Sequence, residues 1–331
     1  MVKTKEIRKK ISLLDEIILE YKENQTTKKI DWKNYEQKLF VRIKNAILFF
    51  DDYILKAINL INFKEEKTSG RPRKLNLEQK VRILLLQRLI NKSNRDMSFL
   101  LMLFSSLTTI NISYKTVERI YDDEKVILVL KNIHQLILNE KNINSPDLSG
   151  DGTGYVLTVK EHYASIASKL KEKKSTKKQK IIFSFTLMDV ETRIYIAYGC
   201  SFKSEKDAFN KAYDMLLNLN IDLNSIRLDR YYSGKKLVKK LSKQYDGIKI
   251  YLIPKKNVTV GSSKSWNTML KHFMDNTNSY LKEYFKRNQS ESGFSEDKRR
   301  FGWKIPQKID RRIDLSNFAI FTWHNLYWVG D

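Results

Sequence analysis

Cysteine and histidine are scarce in this sequence of 331 residues, and their scarcity excludes several kinds of site. Cys200 is the single cysteine, so the chain has no disulfide framework and no cysteine-rich zinc site. The four histidines lack the spacing of metal ligands, and no His-x-His or His-x-x-Arg pattern of a histidine-guided nuclease occurs. Walker A, dinucleotide-binding and Gly-x-Ser-x-Gly motifs are missing as well. We therefore expect neither a nucleotide cofactor nor a serine nucleophile.

Long hydrophobic runs are also missing. The longest apolar runs, such as Ile83–Leu86, are far too short to span a bilayer. The N-terminal segment Met1–Arg8 lacks the apolar core of a signal peptide. From these absences we expect an intracellular, soluble protein without a membrane partner.

Acidic residues are too few to balance the basic ones. Lys and Arg number 62 and Asp and Glu number 38, so the formal charge is 62 − 38 = +24. An excess of this size predicts a polyanionic partner, and nucleic acid is the commonest one. An AT-rich genome also enriches lysine, but here the acidic residues have not risen with it. The length allows two or three domains.

Residues 1–66 have the periodicity of helices and show no recognisable chemistry. Apolar side chains recur at helical spacing over residues 7–21 and again over residues 39–61. In the second helix they lie on more than one side. This pattern indicates packing either against the rest of the chain or against a second copy of it.

Residues 67–145 predict a DNA-binding domain of the helix-turn-helix type. Arg71 and Arg73 lie in Gly-Arg-Pro-Arg, which is similar to arms that read the minor groove, although a plain basic linker has the same composition. From Asn76 to Tyr121 the pattern is helix, turn, helix, turn and a short capped helix. In that short helix Lys115 and Arg119 would face a DNA groove. The side chains expected to face the core are Val117, Ile120 and Tyr121. An ordinary helical bundle would show nearly the same pattern.

Residues 146–331 alternate strands with helices, which predicts an α/β domain. The expected strands are residues 148–159, 181–188, 194–198, 225–229 and 248–254. The expected helices are residues 203–217, a helix after Gly234, residues 262–285 and an aromatic-rich closing helix at 313–328. In the closing helix we expect Trp323, Tyr327 and Trp328 to pack in the core rather than stack on bases. The lysine-rich segment 169–180 reads as a solvated loop whose charge also suits a DNA backbone.

Two acidic residues stand on predicted strands in positions that suit chemistry. Asp151 lies among glycines, with Thr153 two residues on, and small neighbours let a phosphate and metal ions approach the backbone. Asp229 ends an apolar strand and is followed by Gly234 and a helix. Acids at such strand ends line the cleft of α/β folds. Asp147 is a competitor for the first position, but it precedes the strand and lacks the threonine.

The segment from residue 284 to residue 298 carries four functional side chains on one predicted helical face. They stand at offsets 0, 3, 7 and 14 and are Tyr284, Arg287, Glu291 and Lys298. At about 3.6 residues per turn these offsets return to nearly the same angle. Glu283 and Glu296 are the neighbouring acids outside this spacing. A solvated charged face is the plain alternative.

The spacing Tyr-x2-Arg-x3-Glu-x6-Lys resembles the signature of bacterial and archaeal insertion-sequence transposases that use a DDE carboxylate triad. Asp151 in Asp-x-Thr and Asp229 in Asp-x-x-Tyr-Ser-Gly resemble the other two acids of that family. The resemblance implies a ribonuclease-H-like catalytic domain over residues 146–331, with a mixed five-stranded sheet and flanking helices. It implies that Asp151, Asp229 and Glu291 are catalytic and bind Mg²⁺ or Mn²⁺, with two ions in the site. Arg287 and Lys298 would then hold phosphates, and Tyr284 would contact the DNA strand or position the helix.

The resemblance also implies the partners and the reaction. The partners would be double-stranded DNA, both at the ends of the element and at its target, and a second copy of the chain in a homodimer. The place of action would be the nucleoid in the cytoplasm. The reaction would be strand cleavage at the element ends followed by strand transfer. Two other functions stay open: a catalytically inactive DNA-binding protein derived from a transposase, and a metal-dependent nuclease that cleaves without joining.

Overall fold

The computed structural model describes residues 3–23, 31–61, 74–157 and 181–330. Arg71, Arg73 and the lysine-rich segment 169–180 therefore lie outside the described residues. Within the part that is described, no helix combines the length and the apolar character needed to cross a membrane.

The N-terminal half of the described chain is helical, and the C-terminal half mixes helices with strands. The helices of the first half are α1 (Thr4–Ser12), α2 (Leu14–Glu23), α3 (Trp32–Asn59), α4 (Leu77–Leu89), α5 (Asn94–Leu103), α6 (Ser105–Thr108), α7 (Tyr114–Ile120) and α8 (Glu124–Glu140). The strands are β1 (Asp147–Leu157), β2 (Ile181–Asp189), β3 (Tyr195–Ser201), β4 (Ser225–Arg227), β5 (Lys249–Tyr251) and β6 (Lys304–Ile305). The helices of the second half are α9 (Glu205–Asn218), α10 (Lys235–Gln244), α11 (Lys264–Asp275), α12 (Thr277–Phe285), α13 (Asn288–Phe301) and α14 (Asp310–Val329).

The six strands form one mixed sheet in the order β3-β2-β1-β4-β5, with β6 paired to the far end of β1. β1, β2 and β3 are antiparallel, whereas β4 and β6 run parallel to β1 and β5 runs parallel to β4. The predicted α/β class, with a mixed sheet and flanking helices, is confirmed, and the arrangement is compatible with a ribonuclease-H-like fold. The short strand β6 was not predicted, because its two residues carry no periodic signal.

Helix α14 is the element around which the helical half and the sheet pack. Every residue from Leu315 to Val329 is buried, so the helix has no solvent-facing side in that range. Trp323 donates its indole N–H to the carbonyl of Leu85 in α4 at 2.9 Å, and its ring stacks on Phe50 of α3 at 5.1 Å. The predicted core packing of Trp323, Tyr327 and Trp328 is confirmed.

The N-terminal helices lie against elements from the opposite end of the chain. Arg8 of α1 donates to the carbonyl of Val258 at 2.9 Å, and Lys10 donates to the carbonyl of Met274 at 2.8 Å. Helix α3 buries apolar residues on one side, such as Phe50 and Ile54, and exposes others, such as Trp32, which is 64% exposed. The packing of the exposed apolar residues on a second copy stays a prediction. The division at residues 66 and 145 into three domains stays a prediction.

Helix α7 has the two-sided character that the sequence predicted. Val117, Ile120 and Tyr121 are buried, while Lys115 and Arg119 are exposed. Ser113 caps the helix by accepting the backbone N–H of Thr116. The burial pattern is thus confirmed, whereas contact of the exposed side with DNA stays a prediction.

Arg88 links α4 to the C-terminal end of α13 through carbonyl groups. The side chain is 1% exposed, and its guanidinium donates to the carbonyl of Phe301 and, at 3.2 Å, to that of Lys304. Burial lowers the pKa of Arg88, since the charged form loses water. The two carbonyls nevertheless hold the cation in place and leave neither oxygen unpaired.

We predict that Arg88→Met lowers the free energy of unfolding by about 3 kcal/mol, because two buried carbonyls lose a charged donor while the volume is kept. Denaturant unfolding measures the change. Arg82→Met on the same helix is the matched control. Arg82 pairs with Glu78 at 2.6 Å and Asp51 at 2.9 Å near the surface, and such pairs contribute about 1 kcal/mol or less. Equal losses in the two variants would contradict the linking role of Arg88.

Candidate active site

The pairing of β1 with β4 sets Asp151 level with Asp229. These strands are parallel, and Asp147 pairs with Ser225 and Ser149 with Arg227, an offset of 225 − 147 = 78 residues. The same offset leads from Asp151 to position 151 + 78 = 229. Neighbouring strands lie about 4.8 Å apart and alternate residues share a face, so this register, continued two residues past its last pair, predicts neighbouring carboxylates. Asp229 itself follows β4, at the start of a short turn.

Arg287 lies between the first and the third predicted acid. Its guanidinium contacts the Oδ1 of Asp151 at 3.4 Å and the Oε1 of Glu291 at 2.5 Å. Burial works to lower the pKa of Arg287, but Tyr284 and the three predicted carboxylates act in the opposite direction and raise it. Asp229 thus shares the electrostatic field of the same guanidinium. All three predicted acids act on one cation.

The acidic helix α13 is docked on β1 through hydroxyl groups. Ser149, fully buried on β1, donates to the carbonyl of Arg287 at 3.2 Å and contacts the hydroxyl of Ser290. Ser290 donates to the same carbonyl at 3.0 Å. The start of α13 is therefore fixed on the strand that carries Asp151, which holds Glu291 one turn further along close to the sheet.

The prediction of one continuous helix from Tyr284 to Lys298 is wrong in one respect. Helix α12 ends at Phe285 and α13 begins at Asn288, so Tyr284 and Glu291 lie on separate helices. Around Arg287 the backbone N–H groups bond three residues back rather than four, from Arg287 to Tyr284 and from Ser290 to Arg287. The Arg287 carbonyl accepts the hydroxyls of Ser149 and Ser290 in addition to the backbone N–H of Ser290. Both junction residues keep right-handed helical angles, so the chain still winds in the same sense.

Lys298 and Tyr284 occupy opposite ends of the site. Lys298 donates to the hydroxyl of Thr153 at 2.5 Å, and its ammonium lies 4.6 Å from the ring centre of the exposed Trp303. Burial lowers the pKa of Lys298, and the charge of Asp151 partly opposes this. Tyr284 is only 6% exposed, and burial raises its pKa. In this structure Tyr284 packs beside Arg287 rather than facing solvent.

The remaining predicted residues lie away from this cluster or serve the fold. Lys115 pairs with Glu118 at 2.9 Å, and Arg119 lines a small pocket on α7 together with Lys74 and Lys80. No contact joins Lys115 or Arg119 to the three acids among the residues that the structure describes. The alternative acids are engaged elsewhere: Asp147 with Asn224 and Ser225, Glu283 with Arg227 and Lys286, and Glu296 with Arg300.

Glu205, the first residue of α9, is a fourth carboxylate beside the site. Its position in the sequence did not indicate a role. A Cβ at residue 152 would lie 2.4 Å from the Cγ of Glu205, so Gly152 provides the space that this side chain occupies. Tyr232, three residues after Asp229, donates its hydroxyl to Glu205 at 2.9 Å. Glu205 therefore bridges the strand of Asp151 and the turn after Asp229. The alternating glycines of β1 were the sequence signal for this contact, because they indicate that another element packs closely against that face of the strand.

The surroundings of Asp151 favour its protonated form. Burial, together with the charges of Glu291 and Glu205, raises the pKa of Asp151 from 3.8 to about 6, although Arg287 and the Gly152 N–H act in the opposite direction. Carboxylate oxygens are suitable ligands for hard divalent cations. As the side chains now stand, the described residues contain no group of three His, Cys, Asp or Glu that could hold a metal ion. The cation between Asp151 and Glu291 is the guanidinium of Arg287.

A buried polar network anchors α13 behind the site. Asp297 accepts a hydrogen bond from the Tyr195 hydroxyl at 2.9 Å and lies 2.9 Å from the Nδ1 of His324. The other ring nitrogen of His324 lies 3.0 Å from the carbonyl of Arg193. Both ring nitrogens thus face oxygen atoms that can accept a hydrogen bond. A carboxylate and a neutral imidazole have only one proton for these two hydrogen bonds, so the pair of Asp297 and His324 must hold one more. Asp297 precedes Lys298, so the network fixes the helix that carries Lys298 and Glu291.

We predict that Asp297→Asn folds with a free energy of unfolding within about 1 kcal/mol of the wild type. The amide nitrogen would donate to the Nδ1 of a neutral His324, and the amide oxygen would accept from Tyr195. Asp297→Ala leaves both partners unpaired in a buried place, and we expect a loss of about 3 kcal/mol. Urea titration of the two variants distinguishes these results. A loss in the asparagine variant as large as in the alanine variant would refute this account of the network.

We predict a pH dependence of stability that originates at Asp151. Its folded-state pKa of about 6 lies above the reference value of 3.8, so between these pH values the folded protein binds a proton that the unfolded chain releases. The contribution of Asp151 to stability is therefore full below about pH 4 and is lost as pH rises to about 6. The Asp151→Asn variant has no carboxyl group that ionises at this position. Its free energy of unfolding, relative to that of the wild type, should therefore rise between about pH 4 and about pH 6. A stability difference that stays constant between those pH values contradicts the prediction.

Comparison with known proteins gives one match along nearly the whole chain. The chain is 39% identical over 324 residues to a protein of Archaeoglobus fulgidus described as a "Probable transposase for insertion sequence element ISA1214". The aligned region covers 98% of this chain and 95% of that relative. No family model matches the chain.

Proposed function

Because this chain belongs to the insertion-sequence transposases, we propose that it is a transposase of the DDE class whose catalytic acids are Asp151, Asp229 and Glu291. The proposal includes a ribonuclease-H-like catalytic domain and a reaction in which element ends are cleaved and then joined to target DNA. The observation that carries it is the relation of the three acids to one guanidinium. Arg287 contacts Asp151 and Glu291 and lies in the electrostatic field of Asp229, and the β1–β4 register, continued two residues past its last pair, supports a place for Asp229 beside Asp151.

The donor set fits a divalent cation by its chemistry. Mg²⁺ and Mn²⁺ prefer oxygen ligands, and three carboxylates with a half-buried surrounding provide them. When bound, two such ions would activate a water or a 3′-hydroxyl and stabilise the departing oxygen of an in-line displacement at phosphorus. Asp151, Asp229 and Glu291 would hold them. The guanidinium of Arg287 shows that the space between Asp151 and Glu291 suits positive charge.

Arg287 and Lys298 are the groups proposed to bind the phosphates near the reacting bond. Arg287 would exchange its contacts with Asp151 and Glu291 for phosphate oxygens once those carboxylates hold a metal. Its Nε has no hydrogen-bond partner among the described residues, which leaves a buried donor ready for such an oxygen. Lys298 extends over Thr153 at the other side of Asp151 and would neutralise a second phosphate. Tyr284 is buried beside Arg287, so we assign it to positioning that arginine.

The helices between residues 74 and 145 are proposed to bind the element ends as a helix-turn-helix domain. Helix α7 presents Lys115 and Arg119 on its exposed side, and Arg71 and Arg73 precede the first helix of the domain in the sequence. The proposed partners are double-stranded DNA and a second copy of the chain, since two ends must be paired before joining. The exposed side of α3 is the surface that we assign to this homodimer. No nucleotide cofactor is expected, and the proposed place of action is the nucleoid of the cytoplasm.

We predict that Glu291→Gln abolishes Mg²⁺- or Mn²⁺-dependent cleavage of a duplex carrying the element end, with a loss of at least about a thousandfold in rate. The substitution keeps the size of the side chain but removes a charged ligand that the metal requires. Binding of the same duplex should be retained. Glu296→Gln on the same helix is the matched control, because Glu296 pairs with Arg300 and lies outside the cluster. Cleavage assays and gel-shift binding on the three proteins provide the comparison.

The same assays distinguish the other two functions. A wild-type protein that binds end DNA but never cleaves it with either metal would be an inactive descendant of a transposase. Cleavage without any joined product would identify a nuclease. Full cleavage by Glu291→Gln would remove that residue from the active site and leave the family assignment intact.

A further inference from the structure

A groove lined by lysines lies outside the candidate active site. It is formed by helices α10 and α11 and the edge strand β5, and its volume is about 1070 Å³. Six lysines line it, and they are Lys235, Lys236, Lys239, Lys243, Lys249 and Lys264. The single acid among the lining residues is Asp246. The chain as a whole has 62 basic and 38 acidic residues, so a ratio of six to one is a local enrichment rather than a consequence of composition.

The lysines of this groove are free of internal counter-ions. None of the six pairs with a carboxylate within the described ranges of the chain, and five of them are exposed. Lys235 donates to the hydroxyl of Thr259 at 2.9 Å, which leaves its charge uncompensated. Elsewhere lysines do pair, for example Lys80 with Asp123 and Lys286 with Glu283. The positive charge of the groove is therefore available to a partner from outside the chain.

The other lining groups suit phosphates rather than base edges. Ser262, Ser265 and Thr268 supply hydroxyl groups that can donate to phosphate oxygens. Among the residues that the structure describes, none of those lining the groove is an arginine, asparagine or glutamine, which can read bases by paired hydrogen bonds. Lysine acts as a flexible point charge, and contacts with phosphates carry no direct sequence information. The chemistry of the groove thus matches a nucleic-acid backbone of any sequence.

The groove begins beside the candidate active site and runs away from it. Helix α10 starts six residues after Asp229, so Lys235 lies at the edge of the sheet that carries the acids. The register of β5 with β4 pairs Lys249 with Ser225, at the opposite edge. Ten residues of helix span about 15 Å, and a duplex of that length carries about nine phosphates. The row of lysines is therefore long enough to contact several phosphates of one duplex.

We propose that this groove binds the backbone of the target DNA, the duplex into which the element is joined. The inference rests on the proposed function, and it adds a second DNA surface separate from α7 and from the catalytic acids. Target DNA has no fixed sequence, which suits a groove without base-reading side chains. The row of charge that starts at Lys235 would hold that duplex next to Asp229.

The test compares the wild type with the triple variant Lys236→Gln, Lys239→Gln and Lys243→Gln. These three side chains are exposed on α10, and glutamine keeps the helical propensity. Binding of a random-sequence duplex is measured between about 50 and 200 mM salt. The salt slope is the slope of the logarithm of the binding constant against the logarithm of the salt concentration, and each lost phosphate contact reduces its magnitude by about 0.9. The slope should therefore be smaller by about 2.7 in the triple variant, and the loss of affinity across this salt range should be about 40-fold smaller. Cleavage of end DNA should stay within about twofold of the wild type, whereas joining to target DNA should fall at least about tenfold.

The matched control is Lys5→Gln, Lys9→Gln and Lys22→Gln, which removes three exposed lysines from α1 and α2 and should leave slope and joining unchanged. The proposal is overturned if the groove variant has the same salt slope as the wild type. It is also overturned if the wild-type protein does not bind the random-sequence duplex, or if it binds an acidic polypeptide more tightly than that duplex. Equal losses of end cleavage and joining would assign the groove to the element ends instead. If the wild-type protein binds DNA but never cleaves it, the proposed catalytic function is wrong. The comparison of salt slopes then still tests whether the groove binds the DNA backbone.

Discussion

The parallel pairing of β1 with β4 is the constraint on which the candidate site depends. Three paired positions fix an offset of 78 residues, and the two acids continue that register beyond the last pair. A slip of one residue would turn Asp151 or Asp229 to the other face of the sheet. The strand itself is held by its neighbours on both sides and by β6 at its far end. The backbone of Asp151 is thus held by strand pairing, and Asp229 lies two residues after the last paired residue of β4. Neither pairing depends on the acidic side chains themselves.

The negatively charged forms of these acids repel one another, and nearby cations and packing offset this repulsion. Three acids and Glu205 lie near one another, so burial and mutual repulsion would raise the free energy of their charged forms. Arg287 neutralises part of this charge, and Tyr284 and the β1 hydroxyl of Ser149 hold that segment in place. Behind α13 the pair of Asp297 and His324 fixes the helix from its buried side. The site is therefore preorganised by groups that do not themselves face the cleft.

The same excess of positive charge serves more than one purpose in the molecule. Lysines and arginines that pair with acids, such as Arg312 with Asp122, join helices to one another. The lysines of α10 and α11 that line the open groove have no such partners among the described residues. A net charge of +24 says only that a polyanion is favoured. The distribution of paired and unpaired cations separates the charges that stabilise the fold from those available to DNA.

The sequence by itself determined the α/β class, the core face of α7, the buried aromatic residues of α14 and the three acids as candidates. These depend on local periodicity and on spacing within short segments, which a single chain displays directly. Only the tertiary structure decided the break between α12 and α13, the strand β6, the place of Glu205 and the arginine between two acids. Those features arise where segments far apart in the sequence compete for the same carbonyl, the same space or the same charge. Such competition has no local signal, because its outcome depends on the partner that folding brings.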